Sequence, residues 1–123
     1  MTENNNDIDL TFLYDIADGS DEFIVESIAM FMDQSPQIMQ EISSSIATQD
    51  WNTASAAAHK IKANLGFFGM LNSQALIQDI EHACKTDSPN PAEIAATFNQ
   101  VNGMIDTNLI ELGKIRAEKE ANL

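Results

Sequence analysis

The fold is decided by residues 21–48, which read DEFIVESIAMFMDQSPQIMQEISSSIAT. Apolar and small residues recur there in alternating steps of four and three, the seam of a helix packed nearly parallel to its neighbours. The seam consists of Ile24, Ile28, Phe31, Ser35, Ile38, Ile42 and Ser45. We therefore expect a long helix from Asp21 to Thr48. Pro36 falls inside it, so either the helix kinks there or Ser35 caps a second helical segment that begins at Pro36.

Helical periodicity continues on both sides of this stretch, and no segment shows the sustained alternation that is typical of a strand. A short first helix is predicted for Leu10–Ala17, with Asp9 as its cap. Further helices are predicted after Asp50, after a cap at Asn72-Ser73, and from Asn90-Pro91 onwards. The expected fold is all-α, an antiparallel four-helix bundle with a short additional N-terminal helix.

Length and composition fit one compact domain over residues 1–123, since 44% of the residues are hydrophobic and 20% are charged. Its core is expected over about residues 10–114, with frayed ends at Met1–Asp7 and Lys119–Leu123. The single cysteine cannot form an internal disulfide, and no apolar run approaches the ~20 residues of a membrane span. A cytoplasmic protein is expected.

The charge balance restricts the partners of the chain. Acidic residues outnumber basic ones 19 to 6, and the net charge is -13. Nucleic acids and anionic membranes are therefore disfavoured, because their phosphates are bound by Lys and Arg. The acidity favours solubility and a partner with a basic docking face. A monomer is the default expectation, because no exposed apolar stripe is evident.

His59 lies beside the first positive charges of this acidic sequence. No Lys or Arg precedes Lys60, and after Lys62 the next is Lys85. On a helix that advances ~100° per residue, His59 lies about 160° from Ile61, the centre of the apolar stripe, and so faces solvent. The residues that share its side of the helix are Ser55, Lys62, Ala63 and Gly66. Because three of these are small, another protein can reach the imidazole.

His82 has the same spacing to a lysine, since Lys85 follows it by three residues. It also falls on the far side of its helix from the apolar stripe. Asp79 and Glu81 flank it, however, and its helix is about to end at Thr86. We interpret His82 as an ordinary surface histidine.

A solvent-facing neutral imidazole is a competent nucleophile near neutral pH. A phosphoryl group accepted on nitrogen brings about two negative charges. Lys62, one turn from His59 on the same face, is placed to stabilise that charge, whereas Lys60 lies about 100° round the helix and suits partner docking.

The segment from His59 to Gly69 resembles the signature of histidine-containing phosphotransfer (HPt) domains, the intermediate carriers of phosphorelays. In that family a helix-borne histidine is followed by lysine at three residues, by glycine at four, and commonly by glycine at seven and ten. His59, Lys62, Gly66 and Gly69 match, whereas Ala63 stands where the family usually has glycine. The resemblance extends over about residues 10–114 and implies a helical bundle with the histidine on its second long helix.

By this resemblance, His59 accepts a phosphoryl group from the aspartate of a response-regulator receiver domain and passes it to another receiver aspartate. The receiver of a hybrid histidine kinase is one candidate donor. The receiver supplies the magnesium ion, so this chain is expected to need no cofactor and no metal site of its own. A phosphocarrier rather than an enzyme is expected, since the sequence has no Gly-rich phosphate loop or Walker-type lysine.

The family often places a glutamine near the phosphohistidine, on the helix that follows. Glu81 stands nearest to that position, with Gln78 one turn earlier. Because a carboxylate would repel a phosphoryl group, we carry over Gln78 as a docking residue and leave the role of Glu81 open. Gly69 and Phe67, beyond the histidine, are expected to contribute to access and docking, although packing at the helix end is an equally good interpretation of Phe67.

Three alternatives compete with the phosphocarrier. The first is a helical adaptor that binds partners without phosphoryl chemistry. The second is a metal-binding bundle, which would need paired inward Glu-x-x-His motifs, whereas only Asp79-x-x-His82 comes near. The third is a hydrolase or kinase, which the missing nucleotide motifs disfavour.

Overall fold

The computed structural model describes residues 7–123, which form five helices. In chain order they are α1 (Thr11–Ala17), α2 (Asp21–Ala47), α3 (Trp51–Phe67), α4 (Leu71–Ala83) and α5 (Pro91–Ala121). No strand occurs in this part of the chain. The predicted all-α class is confirmed.

The four long helices close into a bundle. Both α2 and α4 pack against α3 and α5, so that each helix has two neighbours, and α1 packs on α2. Short connections place successive helices antiparallel. The centre is filled by fully buried side chains from all five helices, among them Leu13, Ile28, Ile61, Ile77 and Ile105. The predicted four-helix bundle with a short N-terminal helix is confirmed.

The long second helix runs unbroken through Pro36, so the single-helix interpretation is correct. Its cap is Ser20, whose Oγ accepts a hydrogen bond from the backbone N–H of Phe23 at 3.1 Å. Ser35 is buried in the apolar seam instead of capping a second segment. Packing against α3 and α5 holds the helix together despite the lost backbone donor of the proline.

The start of α4 differs from the prediction. The carboxylate of Asp7 accepts hydrogen bonds from the backbone N–H groups of Asn72 at 2.8 Å and Ser73 at 3.1 Å. Asn108 on α5 donates its Nδ2 to the same carboxylate at 3.2 Å. The expected cap at Asn72-Ser73 and the expected fraying at Asp7 are therefore wrong, because a distant acid satisfies the free N–H groups of this helix end. The rest of the predicted N-terminal tail, residues 1–6, lies outside the described residues.

The C-terminal end also differs, since α5 continues past residue 114 to Ala121. The ammonium group of Lys119 lies 3.6 Å from Asp21 Oδ1 and 5.2 Å from the ring centroid of Tyr14. The fraying predicted from Lys119 is wrong, because this side chain ties α5 to the start of α2 and to α1.

The turn between α3 and α4 depends on Gly69, whose φ of +68° lies in the left-handed region that favours glycine. A Cβ at this position would overlap the backbone carbonyl of Asp9. The N–H of Asp9 donates to the carbonyl of Phe68 at 3.2 Å, which holds the N-terminal segment against the turn. The structure thus explains Gly69 by the turn, and its predicted role in access and docking stays a prediction.

Candidate functional site

His59 lies on the solvent side of α3. Asp50 starts this helix by accepting hydrogen bonds from the N–H of Thr53 at 3.3 Å and from its Oγ1 at 2.8 Å. The apolar stripe of the helix is fully buried, whereas 70% of the His59 side chain is exposed. The predicted orientation of the imidazole is confirmed.

The imidazole contacts Glu81 on α4. Its Nδ1 lies 3.0 Å from Glu81 Oε2, and Lys62 Nζ donates to Glu81 Oε1 at 2.7 Å. Lys85 Nζ donates to Glu81 Oε2 at 3.2 Å. One carboxylate therefore joins the histidine and two lysines from two helices.

Glu81 is a buried acid, with 5% of its side chain exposed. The hydrogen bond from Lys62, supported by those from Lys85 and His59, lowers the pKa of its carboxyl group from 4.5 to about 2, although burial acts in the opposite direction. The carboxylate is therefore ionised near neutral pH. Two ammonium groups outweigh its single charge, so the cleft carries a net positive charge.

The cleft itself is open and measures about 450 Å³. It is lined by Asn52, Ser55, Ala56, His59, Glu81 and Lys85. The side chain of Lys62 is 23% exposed and that of Lys85 is 61% exposed, so Lys62 is the more firmly enclosed of the two. An anionic group that reached the imidazole would enter a site with two fixed cations at its edge.

One of the predicted access residues, Ser55, is placed differently from the expectation. Ser55 is buried, and its Oγ donates to the backbone carbonyl of Glu81 at 3.4 Å, so it joins α3 to α4 instead of facing solvent. Gln78 is exposed, and Glu81 occupies the position beside the imidazole. The position beside the imidazole belongs to Glu81, as the count along the sequence indicated, and the docking role of the exposed Gln78 stays a prediction.

The other predicted docking residues surround the site in different ways. Ala63 is exposed one turn from His59, and Lys60 is exposed with its Nζ 3.8 Å from Glu41 Oε1. Gly66 faces Gln74, whose Nε2 would lie 2.6 Å from an added Cβ. Gln74 Nε2 also donates to the carbonyl of Lys62 at 3.1 Å, so Gly66 makes room for a contact that supports the functional helix.

Phe67 belongs to an aromatic cluster at the end of α3. Its ring meets Phe12 edge-on at 5.6 Å and Phe68 edge-on at 5.2 Å. Beside it lies an open apolar cavity of about 350 Å³, whose lining includes Phe23 and Met30. Phe67 thus combines packing with a partly exposed position two turns from the histidine.

Glu81 was expected near the histidine with its role left open, whereas Lys85 was not expected in the site. A signal for Lys85 was present, because Glu81 and Lys85 are four residues apart and form an ion pair on one helix face. What the sequence did not reveal was the burial of Glu81, which depends on how α4 packs on α3.

Within residues 7–123, no three side chains of the His, Cys, Asp or Glu type are grouped as metal ligands. None of the helices described is long and apolar enough to cross a membrane.

Comparison with known proteins identifies one family. The family model of the Hpt domain matches residues 26–111, which include His59, Lys62 and Glu81. No significant match was found among curated proteins or among solved structures. Hpt domains are phosphocarriers rather than enzymes, and they interact with the receiver domains of response regulators. Because the match covers more than half of the chain, the protein belongs to the Hpt domain family, which gives it a role in histidine phosphotransfer within a phosphorelay.

Proposed function

We propose that His59 accepts a phosphoryl group from a receiver aspartate and passes it to the aspartate of another receiver. The observation that carries this proposal is an imidazole 70% exposed, with Nδ1 held 3.0 Å from an ionised carboxylate. A buried structural histidine would lack the exposure, and an ordinary surface histidine would lack the fixed partner.

The hydrogen bond to Glu81 selects the reactive nitrogen. An ionised carboxylate only accepts hydrogen bonds, so neutral His59 carries its proton on Nδ1. Nε2 then has the free lone pair and is the nucleophile. In the transfer step, Nε2 forms a bond to phosphorus while the bond from phosphorus to the aspartyl oxygen breaks, and the aspartate leaves as a carboxylate. Transfer to the next receiver is the same step reversed.

Charge in the cleft supports this reaction. Lys62 and Lys85 contribute two positive charges against the one negative charge of Glu81, so an arriving phosphoryl group is attracted rather than repelled. The receiver supplies the magnesium ion and the acidic pocket around its own aspartate. The contribution of this chain is a positioned nucleophile and a cationic surface beside it.

The exposed edge of α3 is the proposed docking surface. Ala63 leaves room beside the imidazole, and Lys60 adds positive charge. Phe67 and the apolar cavity beside it offer further contact area at the C-terminal end of α3. A receiver with a basic rim suits a chain of net charge -13.

Radiolabel transfer from a phosphorylated receiver tests the proposal. The wild type and His82→Gln should acquire an acid-labile label, and His59→Gln should acquire none. Label that persists in His59→Gln, or that is absent from the wild type across a broad panel of receivers, contradicts the proposed function and favours the adaptor alternative.

A further inference from the structure

A second cavity lies on the opposite side of the bundle from His59. It measures about 230 Å³ and lies in the groove between α2 and α5. Because α3 and α5 each pack between α2 and α4, the α2–α5 groove is opposite the α3–α4 cleft that holds the imidazole. A molecule bound in this groove therefore leaves His59 accessible to a receiver.

Ser35, from α2, is one of the residues that line the cavity. It is only 1% exposed, and its Oγ has no hydrogen-bond partner within residues 7–123. A buried hydroxyl without a partner destabilises a fold, and an alanine would fit the same seam without that loss. Packing alone therefore does not explain the serine.

Pro36 follows directly and lines the same cavity. A proline inside a helix has no N–H group, so the backbone carbonyl of Met32, four residues earlier, lacks its usual helical donor. Two successive residues of α2 thus reduce the stability of the helix at one cavity. Each leaves an oxygen that is able to accept a hydrogen bond from a bound group. We interpret them as parts of a binding site.

The rest of the lining combines apolar walls with one charge. Met39 from α2 and Phe98 and Ile105 from α5 are buried apolar residues. Asp106 is the only charged residue of the lining. It is exposed, and it forms no ion pair with any residue that the structure describes. Oxygen acceptors, one carboxylate and apolar walls together suit an ammonium group on an alkyl stem.

We propose that the α2–α5 groove is a second docking surface, which takes a lysine side chain of a partner protein. The stem of the lysine packs against Phe98 and Ile105, and its ammonium group donates hydrogen bonds to Ser35 Oγ and to the carboxylate of Asp106. A partner side chain fits better than a free small molecule, because the cavity is smaller than the roughly 300–1,000 Å³ of typical ligand pockets.

The charge of the chain favours the same occupant. With a net charge of -13, the protein attracts a cationic partner over a long range and repels an anionic one. The inference goes beyond the proposed function, since no phosphoryl group takes part. A protein held at this groove keeps the chain in place while receivers bind and leave at α3.

The experiment uses Nα-acetyl-lysine N-methylamide as a probe for the lysine side chain. Amide proton–nitrogen correlation spectra of the whole chain are recorded during titration with this probe, and again with the same compound acetylated on its ε-amine. The proteins compared are wild type, Ser35→Ala and Asp106→Asn. Asp33→Asn is the matched control, because it removes an exposed charge of α2 that lies outside the cavity lining.

The amide shifts caused by the lysine probe should concentrate in residues 35–43 and 98–109, which line the groove. Ser35→Ala should weaken binding about tenfold, because it removes a hydrogen bond to a charged group. Asp106→Asn should weaken it about threefold, since solvent screens this exposed carboxylate. Asp33→Asn should bind like wild type, and the acetylated probe should cause no localised shifts.

Thermal unfolding without the probe separates a binding role of Ser35 from a structural one. If the hydroxyl serves binding, Ser35→Ala should melt at a higher temperature than wild type while it loses affinity for the probe. A lower melting temperature with unchanged probe affinity would show that the hydroxyl serves only the fold or solvent, and overturns the inference. Shifts spread evenly over the acidic surface, or equal affinities in Asp106→Asn and Asp33→Asn, overturn it as well.

Discussion

The two histidines share a sequence pattern but differ in what the fold places beside them. Each is followed by a lysine three residues later, and each is exposed on its helix. His59 lies 3.0 Å from a buried carboxylate on the neighbouring helix. Lys85, which follows His82, directs its ammonium group to that same carboxylate, so its charge belongs to the His59 cleft.

This difference shows that the site depends on the packing of two helices and not on the spacing between histidine and lysine alone. The close contact of α3 with α4, marked by the hydrogen bond from Ser55 Oγ to the Glu81 carbonyl, brings the acid under the imidazole. Glu81 lies on the buried face of α4, whereas its neighbour His82 lies on the exposed face. His82 therefore has the spacing without the second helix that completes a site.

The largest expected effect concerns Glu81, the acid beside His59. Because the pKa of this carboxyl group is lowered from 4.5 to about 2, its ionised form stabilises the fold by about 3 kcal/mol. That stabilisation is complete above pH 4.5, the unfolded value, and is lost as pH falls from 4.5 towards 2. Urea unfolding should show Glu81→Gln less stable than wild type by about this amount at pH 7, with the gap narrowing below pH 4.5.

The control for this prediction is Asp79→Asn, which removes a charge next to His82 on the exposed face of α4. It should change the free energy of unfolding by less than about 0.5 kcal/mol at every pH. Equal destabilisation by the two substitutions would contradict the assigned difference between the two faces of α4.

The second prediction concerns partner access one turn after each histidine. Ala63 and Thr86 are both exposed and both follow a histidine by four residues. Ala63→Met should slow phosphoryl transfer from a receiver by about a hundredfold, because it displaces the partner from in-line geometry. Thr86→Met should leave the rate unchanged. Thermal unfolding of both variants checks that the fold is kept, and similar transfer rates in both would argue against docking at α3.

These comparisons also show how far the structure could be predicted from the sequence. The seam from Ile24 to Ser45 predicted α2 because its periodicity is local, and the orientation of His59 followed from the same geometry. The cap of α4 by Asp7 was not predictable, because it joins residues 65 positions apart. The burial of Glu81 was missed for a similar reason. A carboxylate looks repulsive towards phosphate until the packing of α3 on α4 places Lys62 on one of its oxygens, in addition to the local contact from Lys85.

The third prediction compares the contributions of Lys62 and Lys85 to the rate of phosphoryl transfer. Lys62 is enclosed and lies 2.7 Å from Glu81, whereas Lys85 is more exposed and lies 3.2 Å away. Lys62→Met should slow phosphoryl transfer by about tenfold, because it removes a desolvated charge contact. Lys85→Met should slow it by only about twofold, since solvent screens its charge. Single-turnover transfer at low and high salt measures both. Equal losses of transfer rate in the two variants would mean that the burial of a lysine does not determine its contribution to phosphoryl transfer.

The smallest expected effect is at the residues one turn before each histidine, Ser55 and Gln78. Ser55→Ala removes the buried hydrogen bond to the carbonyl of Glu81 and should cost about 1 kcal/mol of unfolding free energy. Gln78→Ala, on the exposed face of α4, should change it by less than about 0.5 kcal/mol. Urea titrations of the two variants side by side measure this difference. Two results would contradict this prediction: a larger loss of unfolding free energy in Gln78→Ala, or slower phosphoryl transfer in Gln78→Ala but not in Ser55→Ala. Either would mean that the exposed face of α4 contributes to the site, and that the surroundings of the two histidines differ less than the packing indicates.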